Sequence, residues 1–135
     1  MTVVLTMNSV MSTTMAVDLK KYRIRIHKAT IHQLGDPKYI QLLVNPKTME
    51  VAIRSVEKEL SGDQTHKVNI HRMKSDNSYE IYSRTFTTKL CEIIGGLEAN
   101  YSYRFFGNIL PAQKAAVFSL KTIKRIETSE NLDND

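Results

Sequence analysis

Residues Tyr22–Arg54 read YRIRIHKATIHQLGDPKYIQLLVNPKTMEVAIR, and the punctuation within this run decides the fold. Tyr22, Ile24 and Ile26 alternate with Arg23, Arg25 and His27, a period of two that predicts a strand with one buried face. KATIHQL follows, with Ala29, Ile31 and Leu34 spaced for a short helix. Gly35 ends it, because a residue without Cβ enters the left-handed region at little cost, and Pro37 blocks continuation. YIQLLV, Tyr39–Val44, is β-rich and nearly continuous, as a mostly buried strand is. Asn45-Pro46-Lys47-Thr48 predicts a turn, with Pro46 presetting φ and Asn45 bonding back to the backbone. Met49, Val51 and Ile53 then alternate with Glu50, Ala52 and Arg54, the returning strand of a hairpin.

The same grammar returns further along. Tyr79 and Ile81 alternate with Glu80 and Tyr82. TFTTKLCEIIGG places Phe86, Leu90, Ile93 and Ile94 on one helical face, with Ser83 or Thr85 as its cap and Gly95-Gly96 as its stop. YSYRFFG (101–107) is an alternating strand, NILPAQK (108–114) a turn region, and AAVFSL (115–120) the return, which KTIKRI extends. YRIRI aligns with YEIYS, Leu34-Gly35 with Ile94-Gly95, YIQLLV with YSYRFF, and MEVAIR with AAVFSL. One such unit, about 35 residues long, is too small to bury a sufficient core by itself. Two units solve this by interlocking their strands, which also removes exposed sheet edges. The expected fold is therefore α+β and β-rich: a pseudo-twofold barrel of two interlocked strand–helix–strand–strand units in one chain, with the short helices over its ends. Residues 1–17 are expected to be an arm, either mobile or an added strand. Residues 18–56 are the first unit and 57–75 a polar connector with a short strand through Val68, Ile70 and Arg72. Residues 76–126 are the second unit and 127–135 an acidic, disordered tail.

The formal net charge is +5, unevenly spread. All nineteen Lys and Arg lie between Lys20 and Arg125, together with nine of the fourteen acids, so that this segment carries ten net positive charges. A basic body suits a polyanionic partner. The single cysteine, Cys91, cannot form an internal disulfide, which points to a reducing, cytoplasmic setting; within LCEII it reads as core. No apolar run approaches the roughly 18 residues of a membrane span, and the N-terminus lacks the basic region of a signal peptide. His27 and His32, and His66 and His71, are badly spaced for one metal, and none of the HExxH, CxxC, phosphate-loop or GxSxG patterns occurs. The expectation is a protein without catalytic residues, metal or cofactor. Tyr101, Tyr103, Phe105 and Phe106 crowd one strand; the first three share a face and read as core rather than as platforms for bases.

RIRIHKATIHQLGDPKYIQLLVNPKTMEVAIR resembles the swapped-hairpin module of AbrB-type transition-state regulators, which reads strand, short helix ending in Leu-Gly, strand, turn, strand. Two modules in one chain resemble the MraZ arrangement. There are departures: Tyr22 stands where that family has Gly, His27 where it has Pro, and Asp18 lies one place too far upstream. In the second copy Asp76 is well placed but Glu80 occupies the Arg position. The resemblance implies a DNA-binding transcription regulator, and it carries a DNA-contact role onto Arg23 alone. Charge and expected exposure add Lys20, Lys21, Arg25, Lys28 and Arg84 as nucleic-acid-binding candidates. The alternative is a non-catalytic protein-interaction module, antitoxin-like or a mobile-element accessory, whose arm or tail docks on a protein partner. Either form is expected as a monomeric pseudo-dimer or a homo-oligomer, away from membranes.

Overall fold

The computed structural model describes residues 11–59, 65–69 and 77–126. Eight antiparallel strands form one sheet that curls into a nearly closed barrel. In chain order these are β1 (Met11–Asp18), β2 (Arg23–His27), helix α1 (Lys28–Gln33), β3 (Tyr39–Asn45), β4 (Glu50–Val56), β5 (Thr65–Lys67), β6 (Ser78–Tyr82), helix α2 (Arg84–Ile94), β7 (Ser102–Leu110), a turn of 3₁₀ helix (Pro111–Gln113) and β8 (Ala115–Arg125). Around the sheet the order is β5-β3-β4-β8-β7-β1-β2-β6. The two halves interlock: β1 pairs with β7, β2 with β6, β3 with β5 and β4 with β8.

Backbone geometry fixes how the halves correspond. Tyr22 (φ 54°) and Asn77 (φ 70°) both enter the left-handed region just before β2 and β6. Lys28 N–H donates to the Asn77 carbonyl at 2.8 Å, and Ser83 N–H donates to the Tyr22 carbonyl at 2.9 Å. These two bonds exchange under a twofold rotation that superposes Tyr22 on Asn77 and Arg25 on Glu80. The hairpins obey the same rotation. Met49 (φ 57°) matches Lys114 (φ 51°), and Ser55 N–H to Lys114 O (3.0 Å) matches Leu120 N–H to Met49 O (2.8 Å). The pseudo-twofold axis thus enters one wall between Arg25 and Glu80, which face each other in register. It leaves the opposite wall between Ala52 and Val117. The alignments of MEVAIR with AAVFSL and of YIQLLV with YSYRFF are therefore corrected by one residue and by three, Met49 matching Lys114 and Tyr39 matching Arg104. That of YRIRI with YEIYS is corrected by two: the counterpart of Tyr22 is Asn77, not Tyr79. A strand's period of two hides such a slip, since both alignments keep Ile24 and Ile81 indoors.

The counterpart of β1 is β5, so each half is strand–strand–helix–strand–strand. Met15 and Val17 of β1 are buried, which places Met11–Asp18 in the sheet as a full strand. The short strand expected within the connector falls at Thr65–Lys67, ahead of Val68; Ile70 and Arg72 lie outside the described residues. The symmetry breaks at one place. β1 pairs with β2, whereas β5 pairs only with β3 among the described strands. Tyr79 bridges the resulting seam. Its hydroxyl accepts from Asn69 N–H (3.0 Å) and donates to the Lys67 carbonyl (3.3 Å).

Alternating residues fill the interior: Ile24, Ile26, Ile40, Val51, Ile53, Phe105 and Phe118 are all at most 1% exposed. Burying each phenylalanine is worth about 2–3 kcal/mol. β2 and β6 run antiparallel, so the helices that follow them plug opposite mouths, α1 with Ile31 and α2 with Phe86 and Leu90. Ser83 caps α2, accepting from Phe86 N–H at 3.2 Å. Gly35 (φ 92°) and Gly95 (φ 75°) stop the two helices where a Cβ would be strained. Among the described residues no helix is long and apolar enough to cross a membrane.

Candidate nucleic-acid interface

The mouth plugged by α2 gathers cations and aromatic rings. It begins at the β1–β2 turn. Asp18 Oδ1 accepts from the backbone N–H groups of Lys20 (3.0 Å) and Lys21 (3.2 Å), an Asx-type turn that holds both lysines exposed. Leu19 N–H donates to the Tyr101 carbonyl (3.2 Å), tying this turn to the start of β7. Arg84 lies 4.4 Å from the centroid of the Tyr22 ring, and Arg125 lies 4.4 Å from that of Tyr101. Each such contact contributes about 0.5–1 kcal/mol at an exposed site. Arg84 sits in the first turn of α2, where the helix dipole disfavours a cation by a few tenths of a kcal/mol.

A bulge in β8 supplies the next cations. Pairing with β7 shifts register between Arg104 and Phe106. The Thr122 hydroxyl stands in for the broken ladder, accepting from Phe106 N–H (2.9 Å) and donating to the Ser119 carbonyl (2.6 Å). Beyond the bulge Lys124 faces Arg104, and its Nζ lies 5.6 Å from the ring of Phe106, which is 38% exposed. Bulges commonly re-aim side chains in this way. Strand register then carries an outer row around the wall, Lys124–Arg104–Ala16–Arg25–Glu80. Tyr82, 53% exposed, stands beside it opposite Arg23.

The sequence-nominated residues separate into three groups. Lys20, Lys21 and Arg84 share this mouth. Arg23 and Arg25 lie on the adjoining outer wall, but carboxylates hold both. Arg25 donates to Glu80 Oε2 through Nη2 (2.7 Å) and Nε (3.2 Å); Arg23 reaches the same oxygen (3.3 Å) and Asp18 Oδ2 (3.0 Å). Glu80 is only 4% exposed and also accepts from the Tyr82 hydroxyl (3.3 Å). Where a symmetric dimer would set two identical residues against each other on its axis, the fused chain sets Arg against Glu. Lys28 opens α1 at the opposite mouth, about 16 Å along β2 from Arg23. The six residues therefore do not form one face.

Sequence reasoning missed Arg104, Lys124 and Arg125. The signal for Lys124 and Arg125 was the pattern of KTIKR and that for Arg104 the alternation of YSYRFF, but only the barrel brings those segments beside Lys20 and Lys21. Of the aromatic group, Tyr103 and Phe105 are buried, whereas Tyr101 is half-buried under Arg125 and Phe106 is exposed.

The rest of the described chain offers little for other chemistry. Burial, with Glu92 beside it, pushes the Cys91 thiol above its ordinary range, which keeps the weakly nucleophilic protonated form. No group of three or more His, Cys, Asp or Glu is placed to hold a metal among the described residues. A cleft of about 290 Å³ opens at the β5–β6 seam, lined by His66, Lys67, Asn69, Tyr79, Glu80, Ile81 and Tyr82. His66 is opposite the buried Ile40 in register. Desolvation lowers its pKa, and its Nε2, like Thr65 Oγ1, is buried with no hydrogen-bond partner among the described residues. The chain matches no protein-family model, and no curated protein and no solved structure is significantly similar to it.

Proposed function

We propose that this protein binds nucleic acid, with DNA regulation as its role, through the α2 mouth of the barrel and the outer wall beside it. One observation carries the reading: three cation–aromatic pairs, Arg84–Tyr22, Arg125–Tyr101 and Lys124–Phe106, gather in this region beside exposed Lys20 and Lys21. Cations set next to flat rings suit a ligand that is both anionic and planar, and nucleic acid is the common macromolecule of that kind. The paired Arg23 and Arg25, and Arg125, which donates to Glu98 Oε1 at 2.9 Å, contribute less to such binding, since each must first leave a carboxylate. The cytoplasmic setting inferred from the single cysteine agrees with this function. The interaction-module alternative draws on the arm and the tail, of which residues 1–10 and 127–135 lie outside the described residues, and the described residues add nothing in its favour.

Fluorescence anisotropy with labelled DNA at low salt tests the proposal. Lys20→Glu/Lys21→Glu/Lys124→Glu should weaken binding at least tenfold, because each lysine withdrawn from a phosphate takes its share of counterion release with it. Lys28→Glu/Lys114→Glu, at the opposite mouth, should leave binding within about twofold of the parent. Absence of binding by the parent chain at low salt, or weakening confined to the second variant, would reject it.

A further inference from the structure

We infer that the ligand of this surface is single-stranded nucleic acid, its bases stacking on Tyr82 and Phe106 while its backbone follows the cationic row between them; this rests on the nucleic-acid reading above. Exposed aromatic rings are the first ground. Tyr82 is 53% exposed and Phe106 38%. Both project from the outer wall, where they add nothing to the barrel's interior. In a duplex the base faces are already stacked on each other, so exposed rings gain nothing from it, whereas unpaired bases stack on them.

Spacing is the second ground. Phe106 on β7 and Tyr82 on β6 are separated by β1 and β2. Three strand-to-strand steps (about 14 Å) combine with four residues along the strand (about 13 Å), since Phe106 faces Thr14 while Tyr82 faces Arg23, level with Asp18. The rings are thus about 19 Å apart on the wall, and Lys124 on β8 extends the row by one more strand. Arg104 lies two residues from Phe106 on β7 with Lys124 facing it, and Arg25 follows on β2 toward Tyr82, so the path crosses the strands with its charge mainly at the Phe106 end, Arg25 being balanced by Glu80. Lys20 and Lys21 border this path at the mouth, and the acids beside it, Asp18, Glu80 and Glu98, are each paired with an arginine, Arg23, Arg25 and Arg125.

The third ground is what the described residues withhold from a duplex. Entry to a major groove needs a protruding helix or ribbon with free base-reading side chains. α1 has six residues. α2 turns Phe86 and Leu90 into the barrel and shows Thr88, Lys89 and Glu92 to solvent, which is not a basic recognition face. The two strand arginines best placed to read guanine are bound to Glu80 and Asp18.

The test uses the full chain with labelled oligonucleotides of about 12 nucleotides, within the footprint of small barrel domains: oligo-dT, oligo-rU, an abasic strand of equal charge, and a duplex. The chain has six Tyr and no Trp, so quenching of tyrosine fluorescence gives a second, label-free readout. The expected result is binding of oligo-dT or oligo-rU at least tenfold tighter than of the duplex or the abasic strand, and whichever of the two binds tighter identifies DNA or RNA as the source. Tyr82→Ala and Phe106→Ala should each weaken it about tenfold, with circular dichroism unchanged. Tyr82→Phe keeps the ring and should retain binding within about twofold. Duplex binding as tight as or tighter than single strands, or abasic strands bound as well as oligo-dT, overturns this inference while leaving the nucleic-acid reading intact. Binding to none of the four overturns both.

Discussion

Replacing Glu80 by Gln removes one negative charge from the point where the pseudo-twofold axis enters the wall, with almost no change in volume. Glu80 is 4% exposed and takes three guanidinium bonds, two from Arg25 and one from Arg23. Removing one partner of a buried ion pair costs about 3–5 kcal/mol, because the remaining charge stays desolvated. Here the arginines keep some contact with water, 21% exposure for Arg23 and 31% for Arg25, and Asp18 still holds Arg23 at 3.0 Å. The expected loss is therefore nearer 2–3 kcal/mol, at about 3–5 °C per kcal/mol for a chain of this size a fall in Tm of about 6–15 °C. Thermal and urea melts followed by circular dichroism measure it. A double-mutant cycle with Arg25→Gln should give a coupling of about 1.5 kcal/mol or more. The same variant has a second expected effect: with Arg23 and Arg25 loosened, nucleic-acid affinity should rise even as stability falls. A Glu80→Gln protein melting within about 2 °C of the parent would refute the argument that this carboxylate holds the axis together.

Other expectations follow from single contacts. Tyr79→Phe deletes the hydroxyl that bridges Asn69 N–H and the Lys67 carbonyl; it should cost about 1 kcal/mol and speed hydrogen exchange at Lys67–Asn69 more than elsewhere. His66 has its folded pKa lowered by desolvation, so the unfolded chain binds its proton more readily than the folded one. Stability is then full above the ordinary value of 6.5 and is lost as pH falls from there through the lower folded pKa. His66→Met, which copies the symmetry-related Met15, should flatten that part of the pH–stability curve and add about 1 kcal/mol at neutral pH by removing an unpartnered buried nitrogen. At Gly107 an added Cβ would stand 2.6 Å from Phe118 Cα and 2.8 Å from the Val117 carbonyl carbon. Both are backbone atoms, so β7 and β8 would have to part, and Gly107→Ala should cost about 3 kcal/mol or more in a urea melt.

The architecture was legible where local chemistry is loud. Gly35, Pro37, Asn45-Pro46 and Gly95 mark stops and turns by backbone rules that hold in any context, and Asn45 Oδ1 indeed accepts from the N–H groups of Lys47 (3.0 Å) and Thr48 (3.3 Å). β1 was fainter because its alternation is muted: Thr13 points in and Ala16 out, so polarity barely separates its faces. β5 is three residues, Thr-His-Lys, with His66 as its inward side chain, and no hydrophobic pattern marks it. The register between halves was misread because Tyr22 and Tyr79 look alike; the true correspondence is set by two backbone conformations, at Tyr22 and Asn77, that a side-chain pattern does not encode. The site was harder still. Arg23 and Arg25 were visible as an outward cationic pair, but Glu80 reaches them only through the β2–β6 pairing, more than fifty residues away along the chain. Lys124 and Arg125 join Lys20 and Lys21 because β8 runs antiparallel to β7 and ends where β7 begins, with the bulge at Thr122 setting Lys124 opposite Arg104.

The most direct measurement of the central claim is an NMR titration of the isotope-labelled chain with a single-stranded oligonucleotide. At 15.5 kDa the amide spectrum should resolve. Shifts are expected at Lys20–Arg23, Tyr82–Arg84, Tyr101–Phe106 and Lys124–Arg125, with the α1 mouth around Lys28 and Lys114 still. An unchanged spectrum at saturating oligonucleotide, or shifts centred on Lys28 and Lys114, would contradict the account.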